Sequence, residues 1–323
     1  MIGPVSISKP PLANDETPAL ADNFTLTVLI FGQLAVGSAS IMAKYGLQTG
    51  HSPLSLSAWR LTIASVIIFI FNTLSPQRQL AVPVLWETKR KLICSGICLG
   101  IHFYSWFASL NYIQVGRSTL LVSTAPVWTG LYVFAIQRRN LAKSFWVGLS
   151  VALAGVWMLT FDTGSEIAPF RSVLVGDILA ILGAVAIAAY LINIESIQVE
   201  LNTRYIVGWT YSSAAVFLMT LNVFEIPSTG MFPITLKSWI PILALALVPQ
   251  LFGHTSLNWC FKRLGSVTVA ASSLLEPVIA AGLAFLLFGE ILTTIQLLGS
   301  VVLLVGVALS LMGGGPVVSQ SRE

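Results

Sequence analysis

LLGSVVLLVGVALSLM, residues 297–312, holds no charged side chain, and only serine interrupts its run of apolar and glycine residues. A helix rises 1.5 Å per residue, so a hydrocarbon core about 30 Å thick is crossed by roughly 20 apolar residues. Comparable stretches recur along the chain, VIIFIF at 66–71 among them. Of the 323 residues, 55% are hydrophobic and only 9% charged, with a mean hydropathy of +0.84. Soluble domains carry about 25% charged residues. Water cannot hydrate a surface this apolar, so lipid is its solvent. Backbone polar groups in lipid must pair within the structure, which leaves helices or closed barrels. Barrel strands alternate in polarity over about 10 residues, whereas these runs are continuous. Helices are expected.

The spans read as Phe24 to Tyr45, Leu56 to Leu74, Leu92 to Tyr112, Ser118 to Ile136 and Phe145 to Phe161 in the first half. Those of the second half are Val173 to Ile194, Tyr205 to Phe224, Trp239 to Phe261, Val267 to Phe288 and Ile295 to Met312. The segment before them, SKPPLANDETPALADN (residues 8–23), is polar and proline-containing. It lacks the layout of a signal peptide, and residues 1–23 read as a disordered cytoplasmic tail.

Orientation follows from the positive-inside rule. With the N-terminus inside, Lys9, Arg78, Lys89, Arg90, Lys91, Arg138, Arg139, Lys143, Arg204, Lys262, Arg263 and Arg322 are cytoplasmic. Only Arg117, Arg171 and Lys237 fall in outer loops, while Lys44 and Arg60 lie within or at the ends of spans. Both termini are therefore expected inside, in a bacterial inner (cell) membrane. The basic pI near 9.1 reflects this topology, and no nucleic-acid partner is expected. Cys94, Cys98 and Cys260 read as small buried hydrophobes, with no ligand cluster around them for a metal.

The halves resemble each other. STAPVWTGLYVFAIQRRNLAKSFWVGLSVALAGVWML (123–159) sets Pro126, Leu141, Gly148 and Gly155 against Pro277, Leu292, Gly299 and Gly306 of SLLEPVIAAGLAFLLFGEILTTIQLLGSVVLLVGVAL (273–309), always 151 positions on. An odd number of helices per copy inserts the second copy upside down. Such inverted repeats characterise transporters, with the substrate site near the midplane where the halves meet. The expected fold is thus an all-α integral membrane protein of ten transmembrane helices in two inverted five-helix repeats, 24–162 and 173–313. Duplication kept only for packing is the alternative.

LLEPVIAAGLAFLLFGEILTTIQLLGSVVLLVGV (274–307), LSAWRLTIAS (56–65) and FKRLGSVTVA (261–270) resemble segments of the EamA-type drug/metabolite transporters. The first has a Pro in the ninth helix, then Gly-Glu, then a Gly-punctuated tenth helix; the others resemble the Arg-bearing second helix and the link between the eighth and ninth. The resemblance runs from about Phe24 to Met312. It implies a ten-helix inverted-repeat carrier, usually an exporter of amino acids, related metabolites or drug-like compounds. Where the second half has Gly289-Glu290 the first has Arg138-Arg139, which argues against Glu290 as half of a symmetric functional pair.

Ionisable groups in lipid are expensive, by about 2.5–3.5 kcal/mol on insertion scales. Glu276 lies near the midplane of the ninth span beside Pro277, which removes a backbone hydrogen bond and frees a nearby carbonyl. There it can bind substrate or carry a coupling proton, or it is a fixed partner to a polar neighbour. Arg60 can bind a substrate carboxylate in bidentate fashion, but snorkelling to the outer headgroups is the simpler reading. Lys44 is the weaker case.

His102 and His254 fall in corresponding helices, about one turn out of register. Either is a pH-responsive wall group or a buried, hydrogen-bonded structural histidine. Tyr104, Trp106, Phe107 and Asn111 accompany His102, suggesting an aromatic-lined cavity for a small amphipathic solute, with His102 or Trp106 facing it but not both. Gln33, Asn193, Gln250 and Asn258 are further wall groups, or amides pairing between helices for about 0.6–2 kcal/mol. Small-residue runs GQLAVGSAS (32–40) and GAVAIAA (183–189) permit close helix approach.

The expected activity is secondary-active export of amino acids or similar small metabolites by alternating access, with a proton or exchange as the driving force, and with no cofactor. No nucleotide loop G-x-x-x-x-G-K-[ST] occurs, nor an H-E-x-x-H or recognisable Ser/His motif for an intramembrane enzyme, nor charge rings or a filter loop for a channel. Uptake or exchange of another metabolite is the variant. Phosphorylated solutes would demand several cavity Lys or Arg.

Overall fold

The computed structural model describes residues 23–74, 84–160, 170–198, 201–229, 236–288 and 293–313. The expected tail 1–23 lies outside them except for its last residue, as do Gly289, Glu290 and Leu292. The described residues are helical, with no strand among them. In order they form α1 (Asn23–Gly37), α2 (Ala39–Gln48), α3 (Pro53–Leu74), α4 (Trp86–Ser109), α5 (Val115–Val122), α6 (Ala125–Ala135) and α7 (Lys143–Thr160). The second half follows with α8 (Phe170–Gln198), α9 (Thr203–Thr229), α10 (Leu236–Leu245), a π-helix (Ala246–His254), α11 (Thr255–Ser272), a 3-10 turn (Ser273–Leu275), α12 (Glu276–Phe288) and α13 (Thr294–Gly313).

Eight stretches are long and apolar enough to cross a membrane, against the ten expected. The difference has two causes. The apolar stretch counted in α7, Lys143–Met158, stops two residues before the helix reaches the edge of the described residues at Thr160. The expected eighth and ninth spans run together as one 47-residue stretch, Lys237–Leu283. At about 1.5 Å per residue that stretch is roughly twice as long as the bilayer core is thick. Its helical geometry is interrupted at Gly265, whose φ of 77° and ψ of 164° suit a residue without a Cβ.

Two long apolar stretches also break at matching places. The stretch Val115–Ala135 breaks at Ser123–Thr124 just before Pro126, and Lys237–Leu283 breaks at Ser273–Leu275 just before Pro277. Proline supplies no N–H and its ring crowds the preceding turn, so the break is written in the residues. The outer surface is apolar: Ile67, Phe69, Ile70 and Phe71 on α3, and Leu297, Leu298, Val301 and Leu304 on α13, are exposed. Lipid, which is as apolar as these side chains, covers such a face without cost. The chain is an integral multi-pass membrane protein. Of its cysteines only Cys260 is buried; Cys94 is exposed and Cys98 intermediate, because α4 turns that edge outward.

With no hydrophobic force between helices in lipid, association depends on close van der Waals approach, and glycines provide it. A Cβ on Gly148 would lie 2.7 Å from the Gly306 carbonyl oxygen, and one on Gly155 2.7 Å from that of Gly299. The same reciprocity holds elsewhere. A Cβ on Gly32 would meet Gly253, Ser256 and Leu257; one on Gly183 would meet His102, Ser105 and Trp106. Each residue of the second set stands 151 positions from its counterpart in the first, with the halves exchanged. The helix contacts pair likewise: α1 packs on the π-helix and α11 as α8 packs on α4, α3 packs on α9, and α7 packs on α13.

Opposite charges occupy one further matched pair of positions. Lys44 Nζ donates to the Leu110 carbonyl just beyond the end of α4, at 3.5 Å. Glu195, 151 positions on, accepts from the Ser266 hydroxyl at 2.7 Å and its backbone N–H at 3.4 Å, just after Gly265. A cation at a helix C-terminus and an anion at an N-terminus both satisfy orphan backbone groups.

Gly306→Ala should lower stability by about 1–3 kcal/mol, and Gly155→Ala by a comparable amount, since both force apart one backbone crossing. Gly282→Ala, with no neighbour within 4 Å, should instead keep or raise stability by up to about 1 kcal/mol. Thermal unfolding in detergent checks the contrast.

Candidate functional site

Six of the seven sequence candidates meet in one cavity between the halves: Gln33, His102, Trp106, His254, Asn258 and Glu276 line it. The space between the lining atoms, its open mouth included, is about 590 Å³. Both His102 and Trp106 face it, where only one was expected. They stand one turn apart on α4, rings 5.7 Å apart, and so share a face.

His102 Nδ1 lies 2.9 Å from the Gly183 carbonyl. A carbonyl only accepts, so Nδ1 carries the proton, and Nε2 of the neutral ring keeps its lone pair. Gly183 makes this contact possible by letting α8 approach α4. Asn258 is held on two sides: its Nδ2 donates to the His254 carbonyl at 2.7 Å, and its Oδ1 accepts from the Tyr190 hydroxyl at 2.7 Å. Tyr190 also lines the cavity and was missed in the sequence, because a tyrosine among apolar residues of α8 carries no sign that its hydroxyl points inward. Gln33 donates from Nε2 to the Ser272 hydroxyl at 2.6 Å.

Several wall groups retain unused polar atoms. Gln33 Oε1, Trp106 Nε1 and His254 Nε2 are buried and have no hydrogen-bond partner among the described residues. The Glu276 carboxylate, at the start of α12, has no hydrogen-bond partner among the described residues, and is electrostatically coupled to Arg60. An unpaired buried polar atom costs about 1–3 kcal/mol. The site is therefore prepared for a ligand offering both donors and acceptors.

Arg60 does not snorkel. It is fully buried at 0% exposure, its Nε donating to Gln250 Oε1 at 2.8 Å. Its guanidinium lies 3.9 Å over the Phe103 ring, an interaction worth about 2 kcal/mol when desolvated. The α3 face bearing Arg60 packs toward α4 and the π-helix, away from lipid. Arg60 is not among the cavity-lining residues; it sits behind them. Gln250 is its partner there, and Asn193 does not line the cavity. His102 and His254 are one residue out of register, not one turn, since the matched glycine contacts set His102 against Gly253.

The scaffold is matched but its chemistry is not. Positions 151 away from Glu276, Trp106, Gln33 and Asn258 hold Ala125, Leu257, Ala184 and Phe107. Each polar wall group is supplied once.

This arrangement can bind a solute, and comparison with known proteins agrees. The chain is 25% identical to the uncharacterized transporter YdfC of Bacillus subtilis over 295 residues, covering 88% of this chain and 90% of that protein. It is 23% identical to a probable terminal-alkyne amino-acid exporter of Streptantibioticus cattleyicolor, covering 87% of this chain and 91% of the relative. A crystal structure superposes with a TM-score of 0.70 at 17% identity, covering 90% of this chain and 97% of the other, which establishes a shared fold. Residues 23–161 and 174–312 each match one family, and the two matches are offset by the same 151 positions as the glycines. The protein is a membrane transporter, not an enzyme, and it belongs to the EamA-like transporter family.

Proposed function

We propose that the chain is a secondary-active exporter of amino acids or similar small metabolites, working by alternating access in a bacterial inner membrane with both termini cytoplasmic. The cavity at the junction of the halves carries this reading, since its unpaired polar atoms and its Glu276 carboxylate stand where a solute crossing the bilayer would pause. In this reading ten crossings are made. α1 with α2 form the first, α5 with α6 the fourth, α7 the fifth, and the stretch divided at Gly265 the eighth and ninth.

The exchanged glycine contacts support inverted repeats. Gly148 with Gly306 and Gly155 with Gly299 run antiparallel. Two matched helices crossing antiparallel are related by an axis perpendicular to both, hence an axis lying in the membrane plane. Rocking of matched bundles about such an axis exposes the central site to each side in turn. At the α7–α13 crossing the closest contacts are to backbone atoms, with the Ser310 hydroxyl donating to the Phe145 carbonyl at 3.3 Å.

The chemistry suits an amphipathic solute bearing an ammonium group. Glu276 receives the cation or, between cycles, a proton, which makes the proton the coupling ion. The Trp106 face and the amides of Gln33 and Asn258 orient the remainder. Uptake or exchange of another metabolite would use the same cavity. Phosphorylated solutes fit poorly, because no Lys or Arg is among the residues lining it.

Counterflow in liposomes holding the purified protein, with amino acids, nucleobases and cationic drugs as probes, tests the activity. Saturable movement of amino acids is expected; movement of none of these classes would refute the carrier. Glu276→Gln should slow counterflow by at least about tenfold, or about 1.4 kcal/mol, and flatten its pH profile. An unaltered rate and profile would remove Glu276 from the mechanism. Trp106→Ala should raise KM about tenfold, with half-saturation of counterflow as the measure.

A further inference from the structure

Arg60 is a buried cation that the cavity does not explain. Its Nε is satisfied by Gln250, but among the described residues Nη1 and Nη2 have no hydrogen-bond partner, and neither does Gln250 Nε2. The Gln250 amide cannot be reversed to help, because its oxygen must accept the Nε–H. Among the described residues no carboxylate lies within ion-pair distance of the guanidinium. The Phe103 and Phe107 rings, 3.9 and 5.8 Å from it, favour a cation but accept no strong hydrogen bond. What remains is a cluster made only of donors around a fixed positive charge. A planar anion with two acceptor oxygens completes it, since a guanidinium edge pairs with a carboxylate through two parallel hydrogen bonds.

We propose that Arg60 and Gln250 form a carboxylate subsite for the transported solute, closed in this conformation and one side-chain layer from the cavity. This rests on the carrier reading given above. Phe103 is the intervening layer: it stacks on Arg60 and also meets the rings of His102 and His254, at 4.8 and 5.2 Å, both of which line the cavity. Gln250 stands in the π-helix Ala246–His254 beside Pro249. Such wide turns are uncommon, and they concentrate at functional sites. Returning this segment to α-helical pitch would rotate Gln250 about the helix axis and open a path to the guanidinium.

The other groups facing Arg60 fit the assignment. Tyr211, which occupies the matched position in the second half, points its hydroxyl at the Gln250 carbonyl, 3.4 Å away, and at Thr255 Oγ1, 3.2 Å away. It is thus engaged elsewhere. Glu276 is electrostatically coupled to Arg60 without a hydrogen bond to it. It leaves the two outer guanidinium nitrogens for a solute carboxylate to take. An ammonium group at Glu276 and a carboxylate at Arg60 together select a solute with both charges.

Two acid and amine pairs test this in proteoliposome counterflow: L-phenylalanine with phenethylamine, and L-leucine with isoamylamine. Each amine is the amino acid without its carboxylate. The wild type should favour the acid-bearing member of at least one pair. Arg60→Gln should reduce that preference at least about tenfold. Gln250→Glu, which places a permanent carboxylate beside the guanidinium, should reduce it equally and raise the melting temperature, and it carries the test should Arg60→Gln not fold. A preference unchanged in the folded variants overturns the subsite, as does a wild type that moves the amines but neither amino acid; in both cases the carrier reading stands. A wild type that moves none of the four overturns the subsite, and failure of the wider probe panel as well would overturn the carrier.

Discussion

Where α7 crosses α13, backbone touches backbone. Gly148 faces Gly306, Gly155 faces Gly299, and a methyl group at these crossings would strike the opposite chain. In lipid, where helices gain nothing by leaving an apolar solvent, this closeness is itself the source of attraction. It also fixes geometry. Two contacts between matched residues, each with the halves exchanged, can form together only if the two helices are related by a local twofold. The Gly32 and Gly183 contacts repeat the rule near the centre of the molecule. Other packing in the bundle conforms to these crossings.

A matched scaffold does not require matched chemistry, and here the two have separated. The backbone contacts repeat at an offset of 151, while Glu276 faces an alanine at its counterpart and Arg60 a tyrosine. The repeated glycine contacts form a matched frame, and each polar wall group stands in one half or the other. The cavity thus lies on a pseudo-symmetric junction yet presents a directional surface, one able to orient a solute end to end. Lys44 and Glu195 show the same process at the helix ends, where one pair of matched positions gained opposite charges because one meets carbonyls and the other meets N–H groups.

Much of the fold was legible in the sequence because lipid imposes a one-dimensional rule: apolar length. The duplicated glycines and prolines were legible as well, since proline breaks and close crossings act locally on the chain. Counted by apolar length, the described residues give eight stretches, because two expected spans run on through Gly265 and the apolar stretch counted in α7 ends at Met158. The site was less legible. Arg60 lies near a span end, and from that alone snorkelling was the simpler reading; which way α3 turns its faces depends on α4 and the π-helix. The π-helix itself has no signature beyond Pro241 and Pro249. Tyr190 and Gln250 acquire their roles only from partners 68 and 190 positions away. His102 and Trp106 were set as alternatives although their spacing puts both on one helical face, an inference available from periodicity alone.

The account turns on whether residues 151 apart occupy opposite faces of the membrane. Lys143 begins α7 and Thr294 begins α13. Single cysteines at these positions, Lys143→Cys and Thr294→Cys, in a chain whose three native cysteines are replaced, can be labelled from either side with an impermeant maleimide. The account predicts labelling of position 143 only from the cytoplasmic side and of position 294 only from the outside. Labelling of both from the same side would contradict it.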